Sequence, residues 1–207
     1  MNALPQNQNQ PQNQPQPHNR GDASQLTDVK TLREQARRHV EEGAVTEHYG
    51  ANKAKVIELL NEALSTELVC VLRYRHDYYM ARGIHSNAVA TEFLEHSNEE
   101  QAHADQIAER IVQLGGEPDF SPDSLSGRSH AEYVPGGSLV EMIKEDLVAE
   151  RIAIDSYREI INFLAERDST TRRLMEEILA VEEQHADELV DFLEDLPPAV
   201  RERAGLG

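Results

Sequence analysis

The sequence carries the pattern Glu-x-x-His twice, first at Glu100 and His103 and again at Glu182 and His185. Residues three positions apart project from the same face of an α-helix. Each pair can therefore offer one carboxylate and one imidazole to a single point. Carboxylate and imidazole without thiolate are ligands that suit iron, manganese and related first-row ions.

A lone glutamate precedes each pair. Glu67 lies 33 residues before Glu100, and Glu150 lies 32 residues before Glu182. The chain thus repeats a unit made of a helix with one glutamate, a turn, and a second helix with Glu-x-x-His. Four carboxylates and two imidazoles brought together match the ligand set of a di-iron or di-manganese four-helix bundle, and the four negative charges would cancel two divalent ions. The alternative is four helices with buried salt bridges at these positions.

Four long amphipathic stretches must position these six residues. Their apolar residues recur every three or four positions, which is typical of helices with one buried face. Residues 115–137 are rich in Gly, Pro and Ser and predict one long crossover, which makes the second and third long helices parallel. We predict an all-α four-helix bundle over residues 51–196, with Ser138 and Thr170 as N-caps of its last two helices. The predicted helices cover residues 51–82, 85–114, 138–166 and 170–195.

The buried faces of these helices contain polar residues that a plain core would not carry. Glu67 falls in line with Leu60, and a lone buried carboxylate costs several kcal/mol unless it is paired or binds a metal. In the second helix, His96, Glu100 and His103 follow one another on the predicted core face. Such a violation of the apolar pattern tends to mark a functional site.

Three of these positions have a second interpretation. Glu67 can pair with Arg73 or reach solvent at the edge of the buried face. We interpret His96 as a structural residue or as one that orients a ligand, rather than as a ligand itself. Tyr74 lies seven residues after Glu67 and can orient a ligand or donate an electron, although we favour a plain core tyrosine.

The remaining segments are short. Residues 1–24 consist mainly of Asn, Gln and Pro, and we predict a disordered tail because they lack the apolar surface that offsets the entropy of ordering. Residues 25–50 are predicted to hold a short N-terminal helix over 27–42, capped at Thr27-Asp28, and a linker. Residues 197–207 are predicted to form a tail with at most a turn or two of helix.

Charge and composition limit the classes of function. The net charge of −18 argues against direct binding to nucleic acid, whose affinity comes largely from Lys and Arg, and favours attraction of cations. No stretch approaches the ~20 apolar residues of a membrane span, and no apolar run marks a signal peptide, so we expect a cytoplasmic protein without membrane contact. The one cysteine, Cys70, excludes an internal disulfide and is expected to pack as a small apolar group.

The four segments around the candidate ligands resemble the ferritin-like superfamily, specifically bacterioferritins and the Dps-like proteins that carry a bacterioferritin-type centre. The resemblance covers about residues 51–196. The segments that carry it are LLNEALSTELVCVLRYR, EHSNEEQAHADQIAERI, EDLVAERIAIDSYREII and EEILAVEEQHADELVDFL.

The resemblance implies that Glu100 and Glu182 bridge two iron ions, that Glu67 and Glu150 are terminal ligands, and that each ion has one histidine. It implies a ferroxidase, in which Fe²⁺ is oxidised by O₂ or H₂O₂ and ferric mineral is stored in a hollow homo-oligomeric shell, protecting against oxidative stress. Manganese or zinc could also occupy the two positions. A di-manganese catalase or another di-metal oxidase on the same bundle is the alternative function.

Three departures from the family pattern refine these expectations. Gln101 stands where bacterioferritins have the methionine that binds haem, so haem is not expected. Pro197-Pro198 and a brief tail leave little room for a fifth bundle helix, which favours a 12-subunit shell over a 24-subunit one. Cys70 has no partner cysteine, whereas some Dps-like members carry a pair, and the Cys₄ module of rubrerythrins is absent from the sequence.

Overall fold

The computed structural model describes residues 26–82 and 86–205. Over these residues the chain is helical, and no strand occurs among them. The predicted tail over residues 1–24 lies outside the described residues. The helices are α1 (Val29–Gln35), α2 (Lys53–Met80), α3 (Ser86–Gln113), α4 (Leu125–Arg128), α5 (Leu139–Leu164), α6 (Ser169–Glu194) and α7 (Pro198–Arg203), with a 3₁₀ turn at Val40–Glu42.

The described chain divides into two compact units, with the boundary between Arg38 and His39. In the first unit, Asp28 caps α1 by accepting hydrogen bonds from the backbone N–H groups of the next turn. The predicted helix over 27–42 is wrong in length, because α1 ends at Gln35. His39 has a φ of 51°, a left-handed conformation that an α-helix of L-residues does not continue through.

Two helical hairpins form the bundle in the second unit. The helices of each hairpin, α2 with α3 and α5 with α6, pack along one another, and further contacts between α2 and α5 and between α3 and α6 join the hairpins. Residues 114–138 form the long crossover, which leaves α3 through Gly115 at a φ of 75°. The predicted bundle and crossover are confirmed, but α4, which packs against α2, was not predicted.

The predicted N-cap is confirmed for α5 and wrong for α6. Ser138 caps α5 as predicted, since its hydroxyl accepts a hydrogen bond from Glu141 N at 3.3 Å. The predicted Thr170 cap of α6 is wrong: Asp168 Oδ1 accepts from Thr171 N at 2.9 Å, so the helix begins at Ser169. The carboxylate is the better cap here because it also accepts from the Thr171 hydroxyl and pairs with Arg110 at 3.1 Å.

Two apolar clusters fill the bundle and leave a polar layer between them. On every long helix the apolar residues of one cluster precede the layer and those of the other follow it, so the layer is closed along the bundle in both directions. Cys70 is 3% exposed within one cluster, which confirms its expected apolar role. The first cluster includes Leu60, Leu64, Ile107, Tyr157, Met175 and Ile178. The second includes Cys70, Tyr74, Phe93, Ile143, Ala149 and Leu189.

Along each long helix the buried apolar residues are interspersed with exposed charged ones. Within the described residues, accordingly, the structure contains no helical segment that combines the length and hydrophobicity required to span a bilayer.

Candidate metal centre

The polar layer contains all six residues that the sequence analysis singled out. Each of the six residues is at most 5% exposed. Their ligand atoms form two groups in which all members lie within 4.8 Å of one another, and Glu100 and Glu182 belong to both groups. The first group is Glu67, Glu100, His103 and Glu182, and the second is Glu100, Glu150, Glu182 and His185.

The two shared carboxylates divide their oxygens between the two histidines. His103 Nδ1 lies 3.0 Å from Glu182 Oε1 and 3.6 Å from Glu100 Oε2. His185 Nδ1 lies 3.6 Å from Glu182 Oε2 and 3.4 Å from Glu100 Oε1. The unshared carboxylates complete the arrangement, with Glu67 Oε2 at 3.4 Å from His103 and Glu150 Oε1 at 3.8 Å from His185. Glu100 and Glu182 thus have the geometry of bridges between two metal positions.

The centre fits a pair of cations because its inward atoms lack other partners. No Lys or Arg within the described residues pairs with its four carboxylates, and Arg73, the partner considered for Glu67, instead binds Asp146 at 3.1 Å. Buried polar atoms without a hydrogen bond are costly and need an explanation such as an ion. The inward atoms that lack a hydrogen-bond partner among the described residues are Glu67 Oε2, Glu100 Oε1, Glu150 Oε2, both oxygens of Glu182, and Nδ1 of His103 and His185.

Burial and mutual repulsion set the charges of the carboxylates. Burial first, and the neighbouring carboxylates second, raise the pKa of Glu100 and Glu150 well above the usual range. Burial also favours the neutral form of Glu182, but the two facing histidines outweigh it and lower the pKa of that carboxyl. The metal-free centre is therefore partly protonated.

The facing carboxylates keep the two imidazoles in their charged form. Burial opposes their charged forms, yet the facing carboxylates outweigh it and raise the pKa of His103 to about 12 and that of His185 to about 9. Both are cationic at neutral pH when no metal is bound, and they partly neutralise the carboxylates. A metal ion must displace these protons, because it needs the free nitrogen lone pair.

We expect metal binding at this centre to strengthen as the pH rises. A raised pKa keeps its proton bound at low pH, so affinity is lost as the pH falls below the pKa of about 9 for His185. Between pH 6 and pH 8 the affinity for Co²⁺ should increase about tenfold per pH unit for each proton released. Titration calorimetry in buffers with different ionisation enthalpies counts those protons. An affinity that does not change with pH would contradict this assignment of charges.

Two buried tyrosines fix the unshared carboxylates. The Tyr74 hydroxyl donates a hydrogen bond to Glu150 Oε1, and the Tyr157 hydroxyl donates to Glu67 Oε1. Burial raises the pKa of both phenols, so both remain neutral donors. Tyr74 lies seven residues after Glu67 but bonds Glu150, and Tyr157 lies seven residues after Glu150 but bonds Glu67. Each tyrosine thus bonds the unshared glutamate of the opposite hairpin. Of the two tyrosines, only Tyr74 was singled out from the sequence for such a role.

His185 has two further neighbours. Glu99 Oε2 lies 2.7 Å from His185 Nε2 and can fix the orientation of that ring, as such outer contacts do in metal sites. The His96 ring stacks on the His185 ring with centroids 4.0 Å apart. Burial lowers the pKa of His96 to about 4, and the neighbouring His185 adds to this effect. Glu99 was missed because its side chain is half exposed and lies off the buried stripe.

Comparisons with known proteins agree with this architecture. Residues 57–199 match the family described as a ferritin-like domain. The bacterioferritin of Mycobacterium avium is 33% identical over 145 residues, which cover 68% of this chain and 84% of that protein.

Solved structures extend the similarity. A dodecameric thioferritin, the bacterioferritin-related protein of Bacteroides fragilis, superposes with a TM-score of 0.69 at 32% identity, covering 75% of this chain and 92% of its own. The bacterioferritin of Desulfovibrio desulfuricans, whose diiron site was solved in different catalytic states, gives a TM-score of 0.62 at 27% identity, covering 73% and 86%. By its fold, its matched family and its relatives, this chain belongs to the ferritin-like family.

Proposed function

We propose that this protein oxidises Fe²⁺ at the six-residue centre and stores the ferric product in a hollow homo-oligomeric shell. The observation that carries the proposal is that Glu100 and Glu182 each direct one oxygen toward each of two histidines. That arrangement suits two metal ions held side by side. Bacterioferritin relatives above 30% identity support iron as the metal.

Two Fe²⁺ ions bind as substrate, and each supplies one electron. With H₂O₂ as oxidant, the two electrons and two protons break the O–O bond and give two waters. With O₂ as oxidant, the same two electrons and two protons give one H₂O₂. Oxidation raises the charge of each ion, and the anionic ligands stabilise that higher charge strongly because the apolar clusters exclude water from the layer.

The tyrosines hold the unshared carboxylates in position for this reaction. By donating to Oε1 of Glu150 and of Glu67, they leave Oε2 of each carboxylate free to face a metal ion. Tyr74 also contacts the ring of His96 edge-on, with centroids 5.1 Å apart. The two phenols are therefore positioning residues, and each lies close enough to the centre to supply a further electron.

We favour a shell of twelve chains. The Bacteroides fragilis relative is dodecameric, and this chain covers 92% of it. Beyond α6 the described chain forms only α7, a helix of 6 residues, and Lys144 Nζ binds the carbonyl of Ala204 at the end of it. The net charge of −18 supports accumulation of Fe²⁺ by such an assembly.

Stopped-flow measurement of Fe²⁺ oxidation tests the proposal. The wild-type protein should oxidise two Fe²⁺ per chain in a fast, saturable phase. A His103→Ala/His185→Ala variant removes one ligand from each position and should slow that phase by more than about 100-fold, toward the rate in buffer. His130→Ala, which removes an imidazole outside the centre, is the matched control. Equal rates in all three proteins would overturn the proposal.

Native mass and metal content provide a second readout of the same experiment. Twelve chains of 23.3 kDa give about 280 kDa, and an iron-loaded shell should sediment as a heavier particle of the same protein mass. Manganese at the centre together with rapid disproportionation of H₂O₂ and no ferric mineral would instead establish a catalase.

A further inference from the structure

A second group of potential metal ligands lies beside the centre and contains none of its six residues, although His96 also lies within 4.8 Å of ligand atoms of Glu150 and His185. We call Glu92, His96 and Glu188 the outer cluster. Their ligand atoms lie within 4.8 Å of one another. Glu92 and His96 are one turn apart on α3, and Glu188 lies on α6, one turn beyond His185. The outer cluster therefore joins the same two helices that carry both shared carboxylates.

The geometry of the outer cluster converges on one nitrogen. His96 Nε2 lies 3.0 Å from Glu188 Oε2 and 3.4 Å from Glu92 Oε1. The His96 side chain is 1% exposed, whereas the side chains of Glu92 and Glu188 are 24% and 34% exposed. A buried imidazole thus faces two carboxylates at the edge of the bundle, with one side open to solvent. His96 Nδ1 has no hydrogen-bond partner among the described residues, and the ring otherwise makes only aromatic contacts with His185 and Tyr74.

The charge around the outer cluster is negative and is not offset. No Lys or Arg of the described chain forms an ion pair with either of its carboxylates. Glu95 and Glu99 add further negative charge nearby. Gln184 donates to Glu188 Oε1 at 2.7 Å, which fixes the carboxylate and leaves Oε2 directed at His96. Two carboxylates and one imidazole with an open side match the ligands of first-row divalent ions.

We propose that Glu92, His96 and Glu188 form a third metal site, which binds a divalent transition ion such as Fe²⁺ or Zn²⁺ with solvent completing its coordination. His96 precedes Glu100 by four residues, so the rise along α3 places the new site about 6 Å from the layer of the centre. The stacked rings of His96 and His185 separate the two.

The position of the site indicates its role. It is the solvent-facing neighbour of a centre that is otherwise closed by apolar residues along the bundle. A Fe²⁺ ion held there would be only a short distance from the metal position beside His185. The outer cluster is thus a waiting position that raises the local Fe²⁺ concentration at the centre; this role, unlike the binding itself, rests on the proposed function.

Zinc titration of the metal-free protein tests the binding, because Zn²⁺ is redox-inert. Wild type should bind three Zn²⁺ per chain by calorimetry, and crystals soaked in Zn²⁺ should show anomalous density between Glu92, His96 and Glu188. The Glu92→Gln/Glu188→Gln variant should bind two. Its control is Glu95→Gln, which removes the same charge from an exposed position on α3 and should still bind three. Two Zn²⁺ in wild type, or three in the double variant, would overturn the site.

Kinetics with Fe²⁺ tests the role. In Glu92→Gln/Glu188→Gln the half-saturating Fe²⁺ concentration should rise about tenfold, while the maximal rate stays within about twofold, because only a binding step is lost. An unchanged half-saturating concentration would overturn the waiting role. A wild-type protein that fails to oxidise Fe²⁺, yet binds three Zn²⁺, would overturn the proposed function and leave the third site standing.

Discussion

Replacing Glu100 with alanine should empty both metal positions of the centre at once. Its two oxygens face different histidines, at 3.6 Å from His103 and 3.4 Å from His185, so each position loses a ligand. Mutation of a residue that merely orients a ligand typically lowers metal affinity or activity by about 10–100-fold. Losing a shared ligand should therefore slow Fe²⁺ oxidation by more than about 100-fold and remove both high-affinity Co²⁺ ions.

Glu67→Ala provides the contrast, because Glu67 belongs to only one of the two groups. That variant should lose one Co²⁺ and keep the other. Glu109→Ala, at an exposed position further along α3, should retain both ions and full activity. Equal metal losses in the Glu100 and Glu67 variants would contradict the assignment of Glu100 as a bridge between the two positions.

Arg73→Met should cause the largest loss of stability. Arg73 is 3% exposed, and its guanidinium binds Asp146 at 3.1 Å and the carbonyl of Glu132 at 2.9 Å. Burial raises the pKa of Asp146 although Arg73 acts against it, and the buried Asp77 adds to the repulsion. Without Arg73, Asp146 has no ion-pair partner among the described residues, and we expect the free energy of unfolding to fall by about 3–5 kcal/mol.

Urea unfolding of the metal-free protein measures this effect. The double variant Arg73→Met/Asp146→Leu removes both charges and should recover most of the loss, because an apolar pair of similar volume often replaces a buried ion pair without cost. A loss below about 1 kcal/mol in the single variant would mean that Asp146 takes up a proton and that the pair contributes little.

The convergence of the six candidate ligands could be predicted because its sequence signal is local. Helical periodicity places Glu100 beside His103 and Glu182 beside His185, and an uncompensated carboxylate on a buried face indicates a cation without knowledge of the partner helix. The four long helices were predictable for the same reason, since each shows one apolar face.

The remaining contacts depend on which helices pack together, which periodicity does not specify. Arg73 was considered as the partner of Glu67 on its own helix, yet it pairs with Asp146 across the bundle. Tyr157 bonds a glutamate 90 residues away in sequence. The cap of α6 was misplaced because the advantage of Asp168 includes its contact with Arg110, which is also distant in sequence.

The two hairpins follow one plan, with a glutamate, a tyrosine seven residues later, and Glu-x-x-His on the next helix. A pseudo-two-fold axis through the centre would make the two ions equivalent if the plan were kept throughout. The common plan is broken four residues before each shared carboxylate, where one hairpin has His96 and the other has the aliphatic Ile178. Two ions bound at this centre would therefore have unlike surroundings, one beside an aromatic ring with a vacant nitrogen and the other against hydrocarbon, and we expect the two positions to fill in sequence and not as an identical pair.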